Sequence, residues 1–294
     1  MRRIIAILII FACWHASSCS AATWGVARSS AAPVLNTSAI GAVFGGRDGK
    51  TLKSDRCGQV RELEFIALPG TAFRLLEEIR DGAATIYRVE TADYPTPARG
   101  ALYVDSRFIE QRDGPPPPRP RSLPERARIL TALKTAVGTP YVWGGNVREG
   151  VPELAGMFYR NAIPAKEMKR VTLAGLDCSG LLYQATGGWT PRNTSQLIAF
   201  GRGIRVAGKT AGELAGLLEP LDLIVWNGHV LIVLDKETVI ESRLECDRPG
   251  NGGVRTTPLR RRLEEIMQTR RPADAWPSGG KQSNLFVIRR WLTE

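Results

Sequence analysis

The chain has 294 residues, a formal net charge of +11, five cysteines and two histidines. This length allows two domains with a sizeable core. So few histidines, with no clustered cysteines and no phosphate-cradling glycine loop, do not make a usual metal or nucleotide site, and we expect no metal and no cofactor. The basic clusters 260–262 and 270–271 lack an aromatic-basic binding motif, so we expect no nucleic-acid partner.

Residues 1–22 have the pattern of a secretory signal peptide: two arginines, an apolar run and then small residues. The run is too short for an anchor helix, and cleavage after Ala22 is the simplest processing. Alternatively, the segment ending at Cys19 is a lipoprotein signal, and Cys19 is then acylated. The sequence therefore predicts an exported protein of the periplasm or cell envelope, in contact with a membrane only if Cys19 is lipidated.

Three cysteines remain after the leader: Cys57, Cys178 and Cys246. An exported compartment permits disulfides, so Cys57 and Cys246 can pair and leave Cys178 free. Two unpaired thiols are the alternative, because spacing alone does not settle the geometry.

Residues 33–112 predict β structure, because short apolar runs alternate with turns rich in Pro and Gly. Several short strands in such a segment predict a small all-β barrel. The strand candidates are 61–68, 72–79, 85–91 and 101–109. The proline-rich segment 113–121 follows and predicts a semi-rigid linker before a second domain at 122–294.

The second domain predicts α+β structure, with helices packed on an antiparallel sheet. A capping box at Ser122–Glu125 predicts the start of a helix that ends at Gly138. Further helices are predicted at 178–186 and after 258, and strands at 221–226, 229–235, 238–242 and 286–292. The segment 146–175 is a long insertion that either covers a groove or belongs to the core.

The segment Asp177-Cys178-Ser179-Gly180 predicts a cysteine at the start of a helix. A helix N-terminus stabilises a thiolate, which is the reactive form of cysteine. His229, the sole histidine beyond the leader, lies downstream, and a lone Cys with a distant His is typical of cysteine hydrolases. The alternatives are a buried structural cysteine and a histidine satisfied within the core.

Four blocks in this order resemble the NlpC family of secreted, papain-like peptidases that cut bacterial cell-wall peptides. They are 139–145, 177–180, 190–196 and 220–230. The resemblance covers about 170 residues, one ordinary domain, and Leu221 stands where the family usually has glycine. It implies a papain-like catalytic domain, and the preceding β segment looks like the SH3-like barrels that often accompany such domains.

The resemblance implies a catalytic trio. Cys178 is then the nucleophile and His229 the base, while a third group holds the imidazole through its other nitrogen. Glu241, twelve residues after His229, matches the position of that third group. Glutamate departs from the family's commonest choice, a histidine, and a carboxylate would stabilise the imidazolium more strongly.

The same resemblance implies substrate contacts by Tyr141, Asp177, Ser179 and Arg192. Each residue type also has a simpler explanation: Asp177 as a helix cap, Ser179 as a first-turn residue and Arg192 as part of a surface ion pair. The backbone N–H of Cys178 is the first candidate donor for an oxyanion.

The sequence thus predicts a cysteine endopeptidase that hydrolyses peptidoglycan stem peptides at the bond between γ-linked D-glutamate and a diamino acid, a bond implied by the resemblance alone. The alternatives are an N-acetylmuramoyl-L-alanine amidase of the same fold and an inactive wall-binding protein. The expected partners are stem peptides and the anionic wall surface, to which a basic protein is attracted.

Overall fold

The computed structural model describes residues 23–96, 100–277 and 284–292. The predicted leader and Cys19 lie outside the described residues. The structure contains two large, mainly antiparallel sheets and short helices, which confirms the α+β prediction at this level. Within the described ranges, no helix is long and apolar enough to cross a membrane.

The N-terminal part is a seven-stranded antiparallel sheet with the strand order β5-β2-β8-β7-β6-β1-β9. A short hairpin, β3–β4, and helix α1 (Ile40–Val43) accompany it. The strands are β1 (Thr23–Ala27), β2 (Ala32–Leu35), β3 (Phe44–Gly45), β4 (Thr51–Leu52), β5 (Leu63–Ala67), β6 (Ala72–Asp81), β7 (Ala84–Glu90), β8 (Leu102–Asp105) and β9 (Ile109–Arg112). A closed SH3-like barrel stays a prediction.

Two details of this sheet differ from the sequence expectations. Strand β1 pairs with β6 and β9, so the sheet starts at Thr23, well before the predicted start at 33. The predicted strand 101–109 is divided by a 3-10 turn at Ser106–Phe108. The Asp105 carboxylate accepts a hydrogen bond from the Arg107 N–H at 2.9 Å, and this local bond competes with continued strand pairing.

The C-terminal part is a sheet with the order β12-β18-β13-β14-β15-β16, where β17 pairs in parallel with β18. The strands are β10 (Asn146–Val147), β11 (Gly175–Leu176), β12 (Arg202–Gly203), β13 (Leu223–Trp226), β14 (His229–Val233), β15 (Thr238–Leu244), β16 (Gly252–Pro258), β17 (Arg271–Ala273) and β18 (Leu285–Arg290). The helices are α2 (Arg126–Thr135), α3 (Glu153–Phe158), α4 (Ala165–Val171), α5 (Cys178–Ala185), α6 (Thr194–Leu197), α7 (Ala211–Leu217) and α8 (Leu259–Met267).

Helices cover both faces of this sheet. Leu223 and Val225 of β13 pack in the cluster that contains α2 and α5, whereas Ile224 and Trp226 pack in the cluster that contains α7 and α8. Burial on both faces explains why the four residues of β13 are all apolar, since alternate side chains of a strand point to opposite faces.

The structure differs from the sequence analysis at the start of one helix and in one strand of this part. Helix α2 begins at Arg126, after Glu125, so the prediction that Ser122 caps it was wrong; Pro124 disfavours helical backbone at the residue before it. Strand β16 was missed because it starts with two glycines, which are poor strand residues. The predicted strand 286–292 is present as β18, inside the sheet, with β13 on one side and the short strands β12 and β17 on the other.

The two parts share one apolar cluster. Val151, Leu154 and Leu173 of the insertion pack with the core residues of the N-terminal sheet. The insertion therefore belongs to the core that joins the two parts. Cys57 and Cys246 form a disulfide, which decides the alternative left open by the sequence.

The proline-rich linker is fastened to the molecule by its arginines. Arg119 donates to the carbonyls of Gly187 and Gly188 at 3.0 and 3.1 Å. Arg119 and Arg121 both pair with the Asp93 carboxylate. The linker thus connects the C-terminal end of α5 to the N-terminal sheet.

Candidate active site

Cys178 is the first residue of α5, as predicted. The Asp177 carboxylate caps the helix by accepting from the Gly180 N–H at 2.6 Å. A Cβ atom at Gly180 would lie 2.0 Å from the Gly145 carbonyl oxygen, so only glycine allows α5 to approach that loop. Cys178 is 7% exposed, and its Sγ lies 4.0 Å from the Gly228 carbonyl oxygen. The position at a helix start suits a nucleophile, because the helix N-terminus provides partial positive charge.

His229 is the first residue of β14, directly after the two-residue turn that joins β13 to β14. Gly228 in this turn has φ 102°, and its N–H donates to the Thr194 hydroxyl at 3.0 Å. This turn places the imidazole beside Cys178, close enough for the two side chains to interact electrostatically. The structure therefore brings the two predicted residues together from distant parts of the chain.

Glu241 lies in β15, which pairs antiparallel with β14 and returns toward its start. One of its carboxylate oxygens, Oε2, is 2.6 Å from His229 Nε2. Glu241 is 1% exposed, so it is not a surface residue. The imidazole thus lies between the Cys178 thiol and the Glu241 carboxylate, which is the order expected of a nucleophile, a base and an orienting group.

The charges of His229 and Glu241 stabilise each other. Burial disfavours the imidazolium, but the hydrogen bonds and charges of Cys178 and Glu241 outweigh it and raise the pKa of His229 to about 9. Burial likewise disfavours the Glu241 carboxylate, but His229 and Arg262 lower the pKa of Glu241 to about 2.

Asp177, Ser179 and Arg192 form a buried network behind the nucleophile. Arg192 Nη2 lies 2.6 Å from Asp177 Oδ2, and Arg192 Nη1 donates to the Ser179 hydroxyl at 2.9 Å. The Arg192 side chain is only 1% exposed, so its description as a surface ion pair was wrong. The helix cap at Asp177 is confirmed, while the predicted substrate contacts of these three residues stay predictions.

Tyr141 lies close to the same network. Burial, followed by the negative charges of Asp177 and Cys178, raises the pKa of Tyr141 well above its usual range. The phenol therefore stays protonated and keeps a proton to donate. The predicted contact of Tyr141 with substrate stays a prediction.

Two residues of the site were missed in the sequence. Asn146 joins the parts: its Oδ1 accepts from Ile66 N–H at 2.9 Å and from Arg192 Nε at 3.1 Å. Arg262 donates to both oxygens of Glu241. The signal for Arg262 was its position, because it follows Leu259 by three residues and therefore falls within the apolar face of α8.

No group of three or more His, Cys, Asp or Glu side chains in the described part of the chain is arranged to hold a metal ion.

No family model and no curated protein matches the chain. Among solved structures, it is similar to an NlpC/P60 family protein from Bacillus cereus ATCC 10987, with 15% sequence identity and a TM-score of 0.34. The alignment covers 93% of this chain and 64% of that protein, so this chain spans less than two thirds of its length. At this TM-score the likeness carries no argument about the site.

The pKa values of His229 and Glu241 predict how stability depends on pH. The pKa of His229 rises from 6.5 to about 9 on folding, so its contribution is complete below about pH 6.5 and is lost as pH rises through about 9. The pKa of Glu241 falls from 4.5 to about 2, so its contribution is present above about pH 4.5 and is lost as pH falls through about 2.

We therefore expect the melting temperature of the wild-type protein to fall between pH 7 and pH 10 more steeply than that of His229→Gln. Thermal unfolding followed by circular dichroism at fixed ionic strength measures this difference. Parallel melting curves for the two proteins across this range would contradict a stabilising imidazolium at position 229.

Proposed function

We propose that the protein is an exported cysteine peptidase that cleaves peptidoglycan stem peptides between γ-linked D-glutamate and a diamino acid. The observation that carries the proposal is the buried chain formed by Cys178, His229 and Glu241, with the His229 ring 2.6 Å from the carboxylate. The sequence blocks around Cys178 and His229, which resemble those of NlpC peptidases, supply the substrate class and the bond.

The proposed reaction has two steps, acylation of Cys178 and hydrolysis of the acyl-enzyme. The Cys178 thiolate attacks the peptide carbonyl carbon, and the oxyanion accepts hydrogen bonds from backbone N–H groups, with that of Cys178 in the first turn of α5 as the nearest candidate. The His229 imidazolium protonates the leaving amine, so the C–N bond breaks and an acyl-enzyme remains. Neutral His229 then takes a proton from water, whose oxygen attacks the thioester and releases the peptide acid and the thiolate.

The residues around the nucleophile supply substrate recognition in this proposal. Tyr141, Asp177 and Ser179 contact the charged ends of the peptide, and Arg192 holds Asp177 and Ser179 in place from behind. The N-terminal sheet binds the wall or shapes the groove. The excess of Lys and Arg over Asp and Glu draws the protein toward anionic wall polymers.

Digestion of purified wall fragments, followed by mass spectrometry of the products, tests the proposal. Endopeptidase action releases a fragment that ends at γ-D-glutamate and a new free amine on the diamino acid. An N-acetylmuramoyl-L-alanine amidase, the alternative, would release the intact stem peptide from the glycan. Iodoacetamide should stop the reaction, whereas a metal chelator should not. Wall binding without any new product would indicate an inactive wall-binding protein.

A further inference from the structure

The guanidinium of Arg262 forms a bidentate ion pair with the carboxylate of Glu241. Its Nε lies 2.6 Å from Oε1 and its Nη2 lies 3.1 Å from Oε2. The same Oε2 atom faces His229 Nε2, so Arg262 fixes the orientation in which the carboxylate meets the imidazole. Paired N–H groups on both carboxylate oxygens give this contact a defined geometry as well as a charge.

The burial of Arg262 sets it apart from its neighbours on α8. Its side chain is 11% exposed, while those of Arg260 and Arg261 are more than 70% exposed and pair with Glu264 and Glu265 of their own helix. The sequence 260–262 therefore contains two surface arginines and one that belongs to the site.

The balance of charges explains why a buried carboxylate needs Arg262. When Cys178 is a thiolate and His229 an imidazolium, neighbouring side chains carry charges of alternating sign, in the order Cys178, His229, Glu241 and Arg262. In the acyl-enzyme His229 is neutral, and the imidazolium no longer compensates Glu241. The guanidinium of Arg262 then remains in contact with Glu241, with Arg243 farther away at 3.7 Å. An uncompensated ion in such a buried position is strongly destabilising.

We propose that Arg262 is a positioning residue that holds Glu241 ionised and aimed at His229 throughout the reaction, including the stage at which the imidazole is neutral. This inference rests on the proposed function. An ionised Glu241 can only accept a hydrogen bond, so the His229 nitrogen that faces it, Nε2, keeps its proton. The other ring nitrogen, Nδ1, is then left to exchange a proton with Cys178. The orientation of the base therefore depends on a residue that does not touch the substrate.

Kinetics of three variants test the proposal. Arg262→Met is expected to lower kcat by about 10- to 100-fold, the range for residues that orient a histidine from behind, with little change in KM. The acid limb of its pH profile of kcat should move to higher pH, because burial favours neutral Glu241 once the guanidinium is gone. Arg262→Lys should restore the acid limb but not the full kcat, since an ammonium group cannot bind both oxygens in the same fork. Arg261→Met, a matched change on the exposed face, should behave as the wild type.

A measurement without substrate separates this role from a purely structural one. The NMR signal of the His229 ring proton on Nε2, assigned with His229→Gln, should shift or disappear in Arg262→Met and Arg262→Lys and persist in Arg261→Met. A wild-type ring signal and pH profile in Arg262→Met would overturn the proposal, even if the protein melts at a lower temperature. If Arg262→Met does not fold, a wild-type kcat for Arg262→Lys would overturn it. A wild-type protein inactive on stem peptides would refute the proposed function, while the ring signal would still decide the role of Arg262.

Discussion

Cys178→Ala is expected to lower the hydrolysis of stem peptides by roughly 10⁴-fold or more, the loss typical of removing a catalytic nucleophile. No other group takes over, because the remaining described cysteines, Cys57 and Cys246, are bonded to each other. The rate of product formation from purified muropeptides, measured by chromatography, gives the result.

The fold should survive this substitution. Alanine removes one sulfur atom from a small buried position and keeps the helix cap made by Asp177. Circular dichroism and the melting temperature provide the control. Appreciable turnover by the well-folded Cys178→Ala protein would refute the cysteine-peptidase mechanism, since His229 and Glu241 would then have to act on water alone.

Arg192→Met is expected to cost about 3 to 5 kcal/mol of unfolding free energy, the usual effect of removing one partner of a buried ion pair. Met replaces the stem of Arg and lacks the guanidinium, so it leaves Asp177 without its 2.6 Å partner and removes a donor from Ser179 and Asn146. Denaturant unfolding at neutral pH measures the change.

A surface arginine gives the matched control for this experiment. Arg170 pairs with Glu167 at 3.1 Å, and both side chains are well exposed. Arg170→Met should change stability by only about 0.2 to 1 kcal/mol. Equal effects of the two substitutions would show that the buried network contributes no more than a surface pair. Such a result would make a substrate contact the better explanation of Arg192.

The sequence predicted the parts of the site that depend on local pattern. A short polar residue before Cys178 and an apolar run after it specify a capped helix start. Glu241, by contrast, was implied by the resemblance to NlpC peptidases and not by local pattern. Arg262 was not predicted, because its partner is 21 residues away and is reached only when α8 packs on the sheet. The same holds for Asn146, whose hydrogen bonds cross from one part of the molecule to the other.

Leu221 has a backbone conformation that usually favours glycine. The sequence has leucine where NlpC peptidases usually have glycine, and the backbone there has φ 74°, a left-handed conformation that glycine adopts without strain. The side chain is buried, and the Leu221 carbonyl accepts from the Trp291 indole at 2.9 Å. Tertiary contacts of this kind hold the strained backbone, and no local rule predicts them.

The Cys57–Cys246 disulfide is a second covalent link, besides the backbone, between the N-terminal and C-terminal parts of the protein. It joins residues on opposite sides of the segment 113–121, at a sequence separation of 189. A protease cut in that segment would therefore leave a nicked molecule whose halves stay covalently attached and share the same apolar cluster. Conversely, a shortened protein that starts at Ser122 would carry an orphan thiol at Cys246 and an uncovered core around Leu154, so the N-terminal sheet is better regarded as a structural half of the fold than as a detachable module.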